Sequence, residues 1–217
     1  MLIIGIAGGT GSGKSTVVNL IPRFYDASAG QVCFLGQDVR KYRRKELRNQ
    51  IGIVPQKAVL FAGTVRENMQ WGKKDATDEE IWEALKTAQA EEFIRAKEGG
   101  LDANIEQGGR NLSGGQRQRL TIARALVKKP RVLILDDSAS ALDYATDAAL
   151  RKAIRQMEGA PTVFIVSQRT SSLMSADRIL VLDDGERTGY GTHEELLKNC
   201  QTYREIYNSQ YGKKEEA

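Results

Sequence analysis

The chain has 217 residues, with 32 Lys and Arg against 28 Asp and Glu and a formal charge of +4. That length suits one well-buried domain, or one domain with a subdomain, and so mild a charge permits an anionic ligand but gives no argument for nucleic acid. Cys33 and Cys200 lie far apart without metal-ligand spacing and fit a reducing compartment, no apolar run approaches the roughly 18 residues of a membrane span, and the opening Met1 to Ile6 is too short and uncharged for a signal peptide.

The first element is Leu2-Ile3-Ile4-Gly5-Ile6-Ala7, a short apolar run that reads as a buried parallel strand. It feeds Gly8-Gly9-Thr10-Gly11-Ser12-Gly13-Lys14-Ser15, a phosphate-binding loop, and then an apolar-periodic helix with Val17, Val18, Leu20, Ile21 and Phe24. The glycines let successive backbone N–H groups converge on one anion, and the helix N-terminus adds partial positive charge. Gly9, Thr10, Gly11, Ser12, Gly13, Lys14, Ser15 and Thr16 are the candidate nucleotide-binding residues. Lys14 can reach the β- and γ-phosphates and the Ser15 hydroxyl can hold Mg²⁺. The plainer alternative is a glycine-rich turn capping a helix; the strand before and the helix after favour nucleotide binding.

A turn at Asp26–Gly30 leads into a short strand, Val32-Cys33-Phe34-Leu35. The basic run from Arg40 to Lys45 reads first as a solvated helix face, with lipid or partner contact as the minority reading. Ile51-Gly52-Ile53-Val54 is a second buried strand, closed by Pro55-Gln56. A glutamine at that point can reach a phosphate or Mg²⁺ at the sheet's C-terminal edge, where ligands of parallel sheets collect.

Residues 64–111 change character. Thr77-Asp78-Glu79-Glu80 is a capping box opening an amphipathic helix with Ile81, Trp82, Leu85 and Ala88; a second helix follows from Glu91 to Ala96, then a glycine-rich loop. This stretch reads as a helical insertion. Leu112-Ser113-Gly114-Gly115-Gln116 opens a further helix. Ser113 and Gln116 have capping-box spacing, and the glycines leave a helix N-terminus that a phosphate can approach. Nothing earlier in the chain needs a second anion site, which points to a phosphate carried by another molecule's nucleotide.

Val132-Leu133-Ile134-Leu135-Asp136-Asp137 is an apolar strand ending in two carboxylates. At the edge of a sheet carrying a phosphate loop, such a pair fits a metal and a water: Asp136 toward Mg²⁺ and Asp137 toward the attacking water. Ser140-Ala141-Leu142-Asp143 starts the next helix. Thr162–Val166 is another buried strand, ending Ser167-Gln168-Arg169. Residues 178–191 read as a hairpin turned at Asp184-Gly185. Thr192-His193-Glu194-Glu195 is a capping box, within which His193, the single histidine, is structural. The tail from Gly212 is expected to fray.

The whole series resembles the ATP-binding cassette family: the phosphate loop, Gln56 after a strand, the helical insertion, Leu-Ser-Gly-Gly-Gln, the apolar strand ending in acids, and Ser-Ala-Leu-Asp. Arg23-Phe24-Tyr25-Asp26, Val59 to Asn68 and Gly191 to Leu196 are similar to an exporter's nucleotide-binding domain, most of all one half of a bacterial heterodimeric multidrug exporter. The resemblance implies an α/β fold of P-loop NTPase (RecA-like) type, with a mostly parallel sheet and an inserted α-helical subdomain. The expected bounds are an α/β core over 1–63 and 118–210, an insertion with the signature segment over 64–117, and a tail over 211–217. It also implies an ATPase that binds ATP and Mg²⁺, with Ser15, Gln56 and Asp136 at the metal. The partners implied are a second nucleotide-binding domain in a hetero-dimer, to whose site Ser113, Gly114, Gly115 and Gln116 are supplied, and a transmembrane domain. The expected place is the cytoplasm or the cytoplasmic face of the membrane. Asp143 stands at the D-loop position, and Glu106 at the position expected to sense the partner.

Three departures from the family pattern stand out. The catalytic base after the Mg²⁺-binding Asp is Glu in the family and Asp137 here; the switch histidine is Gln168 here. Asp137 and Gln168 together imply a degenerate catalytic site with slow hydrolysis. The chain also begins at the phosphate-loop strand, without the antiparallel strands and the adenine-stacking aromatic that normally come first. That predicts weaker hold on adenine, by about 1–3 kcal/mol. A trimmed or engineered scaffold with weak or no nucleotide binding is the alternative reading. Ile3 to Thr10 also looks like the start of a nucleoside kinase, but neither an acceptor lid nor an acceptor base is found.

Overall fold

The computed structural model describes residues 1–211; the tail from Gly212 lies outside the described residues. In chain order the strands are β1 (Ile3–Ala7), β2 (Cys33–Phe34), β3 (Gln37–Asp38), β4 (Ile51–Val54), β5 (Gly63–Thr64), β6 (Asn104–Ile105), β7 (Val132–Asp136), β8 (Thr162–Val166), β9 (Arg178–Asp183) and β10 (Glu186–Gly191). The helices are α1 (Lys14–Leu20), α2 (Arg44–Asn49), α3 (Val65–Gln70), α4 (Asp78–Thr87), α5 (Glu91–Arg95), α6 (Gly114–Leu126), α7 (Tyr144–Gln156), α8 (His193–Asn199) and α9 (Gln201–Tyr211). The chain forms two compact units. One comprises Leu2–Ile51, Ile134–Asp137 and the chain from Thr162 onward; the other comprises Gly52–Leu133 and Ser138–Pro161, with Met1. The expected bound at 117/118 falls inside α6, which runs unbroken through it.

The main sheet has the order β10-β9-β1-β8-β7-β4, and the first unit holds β10, β9, β1, β8 and the end of β7 from Ile134. β1 lies between β8 and β9 and is parallel to both, while β10 returns antiparallel to β9. Ile3, Ile6 and Ala7 are buried because the strand has neighbours on both edges and apolar cover on its faces. The β9–β10 turn is made by Asp184 and Gly185, both at positive φ (45° and 79°), the backbone twist a two-residue hairpin requires. The first helix is shorter than its apolar period suggests. It ends by Ile21, itself still helical, because Pro22 has no N–H to continue the ladder. Arg48 then takes up the freed carbonyls of Pro22 (3.0 Å) and Arg23 (2.9 Å), and Phe24 is left 48% exposed beneath its guanidinium. Cys33 is exposed and Cys200 buried, and both are free thiols. His193 donates to, or accepts from, the buried Tyr203 hydroxyl through Nδ1 at 2.9 Å.

The second unit is mainly helical. Three of its helices start where local side chains satisfy orphan amides: Thr64 with Glu67 at α3, Thr77 with Glu80 at α4, and Ser113 with Gln116 at α6 are complete capping boxes. Helix α3 and the small β5–β6 ribbon were not expected from the sequence pattern, which is too short there to show a period. Ile81, Leu85, Ile94, Leu120 and Ile122 are fully enclosed in its core. Arg66 ties the unit's loops by pairing with Asp102 at 2.9 Å and with Asp78. At Gly72 the α6 backbone comes so close that a Cβ would meet the Arg124 carbonyl at 2.1 Å and a Val127 methyl at 2.8 Å. Gly72→Ala is therefore expected to cost about 1–3 kcal/mol through overpacking, read as a lowered midpoint in thermal unfolding by circular dichroism.

No helix among the described residues is long and apolar enough to cross a membrane.

Candidate nucleotide site

β1 delivers the chain into residues 8–13, and packing dictates their composition. A Cβ on Gly8 would sit 2.4 Å from the Leu182 carbonyl of β9 and 2.4 Å from Ser12 Oγ, so no side chain fits there. Gly11 and Gly13 hold φ of 82° and 86°, a region that costs other residues strain. The loop curls around Lys14, which is only 8% exposed. Its Nζ donates to the carbonyls of Gly8 (2.8 Å) and Gly9 and to Ser12 Oγ (3.2 Å). Burial pulls the Lys14 pKa below the ordinary lysine value, and the negative charges of Asp137 and Asp136 oppose that shift. The ammonium is thus held inside the loop, where an anion gains more from it than it would in water.

The end of β7 brings the acids to the same place. Ser15 Oγ donates to Asp136 Oδ1 at 3.1 Å, across 121 residues of sequence. Burial pushes the Asp136 carboxyl up, the Ser15 hydrogen bond pulls it down, and the neighbouring Asp137 charge pushes it up again. Asp137 sits just beyond the strand in the left-handed region (φ 46°), with its N–H on the Val166 carbonyl of β8 at 2.8 Å. Ser167 N–H in turn reaches the Ile6 carbonyl of β1 at 3.2 Å, so the ends of β1, β7 and β8 form one edge.

A half-buried carboxylate beside a hydroxyl suits Mg²⁺, which takes one or two protein oxygens and completes its shell with water and phosphate. No group of three or more His, Cys, Asp or Glu among the described residues is placed to hold a metal. A cation here would therefore depend on Ser15, Asp136 and the ligand's own oxygens. Gln168 follows β8 at this edge and is exposed; its carbonyl accepts from Gln210 of α9 at 2.7 Å. Gln210 carried no sequence signal, being one polar residue on a helix, and only the fold links it to this segment.

The remaining expected residues belong to the helical unit. Gln56 lines a cleft of about 580 Å³ there with Lys57, Gln107, Gly114, Arg117 and Gln118. Ser113 Oγ accepts from Gln116 N–H at 3.2 Å and Gln116 Oε1 accepts from Ser113 N–H at 3.0 Å, so both side chains cap α6. Gly115 stands on the first turn, where a Cβ would lie 3.4 Å from the Ala141 carbonyl. Asp143 caps α7: it accepts from Thr146 N–H at 2.9 Å and Thr146 Oγ1 at 2.7 Å, which holds its carboxyl below the usual range. Glu106 N–H donates to Asn111 Oδ1 at 3.1 Å.

A glycine-built phosphate loop after a central parallel strand, with an acid from the end of β7 bonded to its serine, defines a P-loop nucleotide-binding domain. The ABC transporter family model matches residues 2–140. The chain belongs to the ABC transporter family and is an ATP-binding, ATPase-type domain of it, which sets aside the nucleoside-kinase likeness of the opening residues. An uncharacterized ABC transporter ATP-binding protein of Mycobacterium tuberculosis is 48% identical over 208 residues, covering 94% of this chain and 35% of that protein. YgaD of Bacillus subtilis, named as a multidrug export ATP-binding/permease protein, is 42% identical over 207 residues, covering 95% of this chain and 36% of that protein. The solved structure of a bacterial Atm1-family ABC exporter with ATP bound superposes with a TM-score of 0.90 at 37% identity, over 96% of this chain and 37% of that one. The chain spans about a third of the length of the relatives it matches.

Proposed function

We propose that this chain is the nucleotide-binding domain of an exporter, acting at the cytoplasmic face of a membrane through a transmembrane domain. It binds Mg-ATP on residues Gly9 to Thr16, with Ser15, Asp136 and Gln56 toward the Mg²⁺, and hydrolyses it slowly. The observation that carries the reading is the Ser15–Asp136 bond beside the enclosed Lys14. It supports one compact place for a triphosphate and its cation.

Mg²⁺, when bound, shields phosphate charge; the chain's own groups do the rest. Lys14 compensates the charge on the β- and γ-phosphates, and the loop's amides orient them. Asp137 accepts a proton from the attacking water, and Gln168 donates a hydrogen bond to the γ-phosphate through its side-chain amide. Slow hydrolysis follows from residue type. Asp137 is one methylene shorter than the family's glutamate, and its backbone is tied at 2.8 Å to Val166, which resists an advance toward the water. An error of about 1 Å costs about a hundredfold. Gln168 cannot carry a positive charge as the family's histidine can.

The relatives named for multidrug export and the exporter structure support an exporter engine, and Asp137 with Gln168 in place of the family's glutamate and histidine favours this subunit as the degenerate half of a hetero-dimer. Ser113, Gly114, Gly115 and Gln116 then serve the nucleotide of the second domain, with Asp143 and Glu106 facing that partner. The test separates the two sites. Ser113→Asp keeps an N-cap oxygen, since Asp caps as well as Ser, but sets a negative charge against the partner's phosphate. Mg-ATP titration of the isolated chain is expected to give the wild-type affinity, while turnover of the assembled transporter falls at least about tenfold. Loss of binding by the isolated variant would contradict the shared-site reading.

A further inference from the structure

The segment that carries Gln168 is tied to the C-terminal helix by Gln210. Gln210, on the last turn of α9, uses both ends of its amide. Nε2 donates to the Gln168 carbonyl at 2.7 Å, and Oε1 accepts from Thr170 N–H at 2.9 Å and from Thr170 Oγ1 at 3.0 Å. The amide thus stands in for a neighbouring strand, supplying one donor and one acceptor to residues two apart on an otherwise irregular backbone. The residue between is satisfied locally: Arg169 N–H donates to Ser167 Oγ at 3.0 Å. Thr170 is fully buried, and Ser167 is fastened to β1. Residues 167–170 are therefore pinned at both ends, to the strand that feeds the phosphate loop and to α9. The second pin joins residues 42 apart in the sequence.

We propose that Gln210 is a positioning residue for the nucleotide site, setting the backbone from which Gln168 meets the γ-phosphate, so that docking of the C-terminal helix governs how well the site distinguishes ATP from ADP. This rests on the reading of Gln168 as a γ-phosphate contact. Residue chemistry restricts position 210. Asparagine is a methylene too short to span residues 168 and 170. Glutamate keeps an acceptor for Thr170 but has no donor for the Gln168 carbonyl. Leucine keeps the volume and loses all three bonds.

The test is calorimetric titration of the chain with Mg-ATP and with Mg-ADP, for the wild type, Gln168→Ala, Gln210→Leu, Gln210→Glu and the double variant Gln168→Ala/Gln210→Leu, beside amide hydrogen exchange. Gln168→Ala, Gln210→Leu and Gln210→Glu are each expected to lower the ATP-over-ADP affinity ratio about tenfold, the effect of one hydrogen bond to a charged group, with ADP affinity within about twofold of wild type. The double variant loses no more than Gln168→Ala alone. Thr170 amide exchange accelerates at least about tenfold in Gln210→Leu and stays protected in Gln210→Glu, which keeps the Thr170 acceptor and so guards against a merely misfolded variant. A Gln168→Ala chain that loses the ratio, beside Gln210 variants that keep it, would overturn the positioning role alone. A further tenfold loss in the double variant, or equal loss of ATP and ADP affinity in the Gln210 variants, would reduce Gln210 to a structural contact. A wild-type ratio in Gln168→Ala itself would instead sink the phosphate reading, and the proposal with it.

Discussion

Lys14→Ala is expected to lower Mg-ATP affinity at least about a hundredfold in calorimetric titration. The ammonium lies inside the loop, 2.8 Å from the Gly8 carbonyl and 3.2 Å from Ser12 Oγ. Each hydrogen bond between charged groups is worth about 1.5–3 kcal/mol, and two phosphates meet this one cation. Removing it also takes a donor from the Gly8 and Gly9 carbonyls, the latter keeping only the long bond from Ser12 N–H at 3.4 Å, so the loop's curl is held less firmly. Arginine offers no rescue, because a guanidinium is bulkier and planar and the enclosed space is shaped to a compact ammonium. Circular dichroism of the variant should match the wild type, since the core of β1 and α1 is apolar and untouched. Unchanged affinity in a folded variant would put the nucleotide somewhere other than residues 8–16.

Asp137→Glu combined with Gln168→His is expected to raise ATP turnover by about a hundredfold once a partner domain completes the site. The added methylene moves the carboxylate forward by about 1 Å, the scale on which placement changes rates a hundredfold. The histidine restores a group that can carry charge near neutral pH. Residue 168 is exposed, and its anchoring hydrogen bond uses the backbone carbonyl, which the substitution leaves in place. Asp137 is the more demanding position, because φ of 46° is better tolerated by Asp than by Glu. The gain from Asp137→Glu alone is accordingly expected to be smaller than its side-chain length suggests. Steady-state phosphate release, compared among the two single variants and the double, measures this. No gain in the double variant would mean that the site's geometry is lost elsewhere, and the degenerate-site reading would have to be replaced.

Much of this protein was set by its sequence alone, and in each case the physics is local. A glycine-rich run between an apolar strand and a helix specifies a phosphate loop, because the curl needs only the conformational freedom of neighbouring residues. Capping boxes at Thr77, Ser113 and Thr192 close over three residues, and all three occur. The turn at Asp184-Gly185 is dictated by two adjacent φ angles. What the tertiary structure decided is whatever depends on partners distant in the chain. Gly8 is irreplaceable because the Leu182 carbonyl crosses it. Ser15 meets Asp136 because β1, β8 and β7 adjoin in the sheet. Helix α1 stops early at Pro22, a local signal that the apolar period masked, but it takes Arg48 from another helix to fill the carbonyls beyond. Gln210 acquires a role only when α9 packs beside the end of β8. Pairings of this kind arise from closing long loops around a shared core. The entropy of that closure and the burial that offsets it are properties of the whole chain, so no short window of residues contains them.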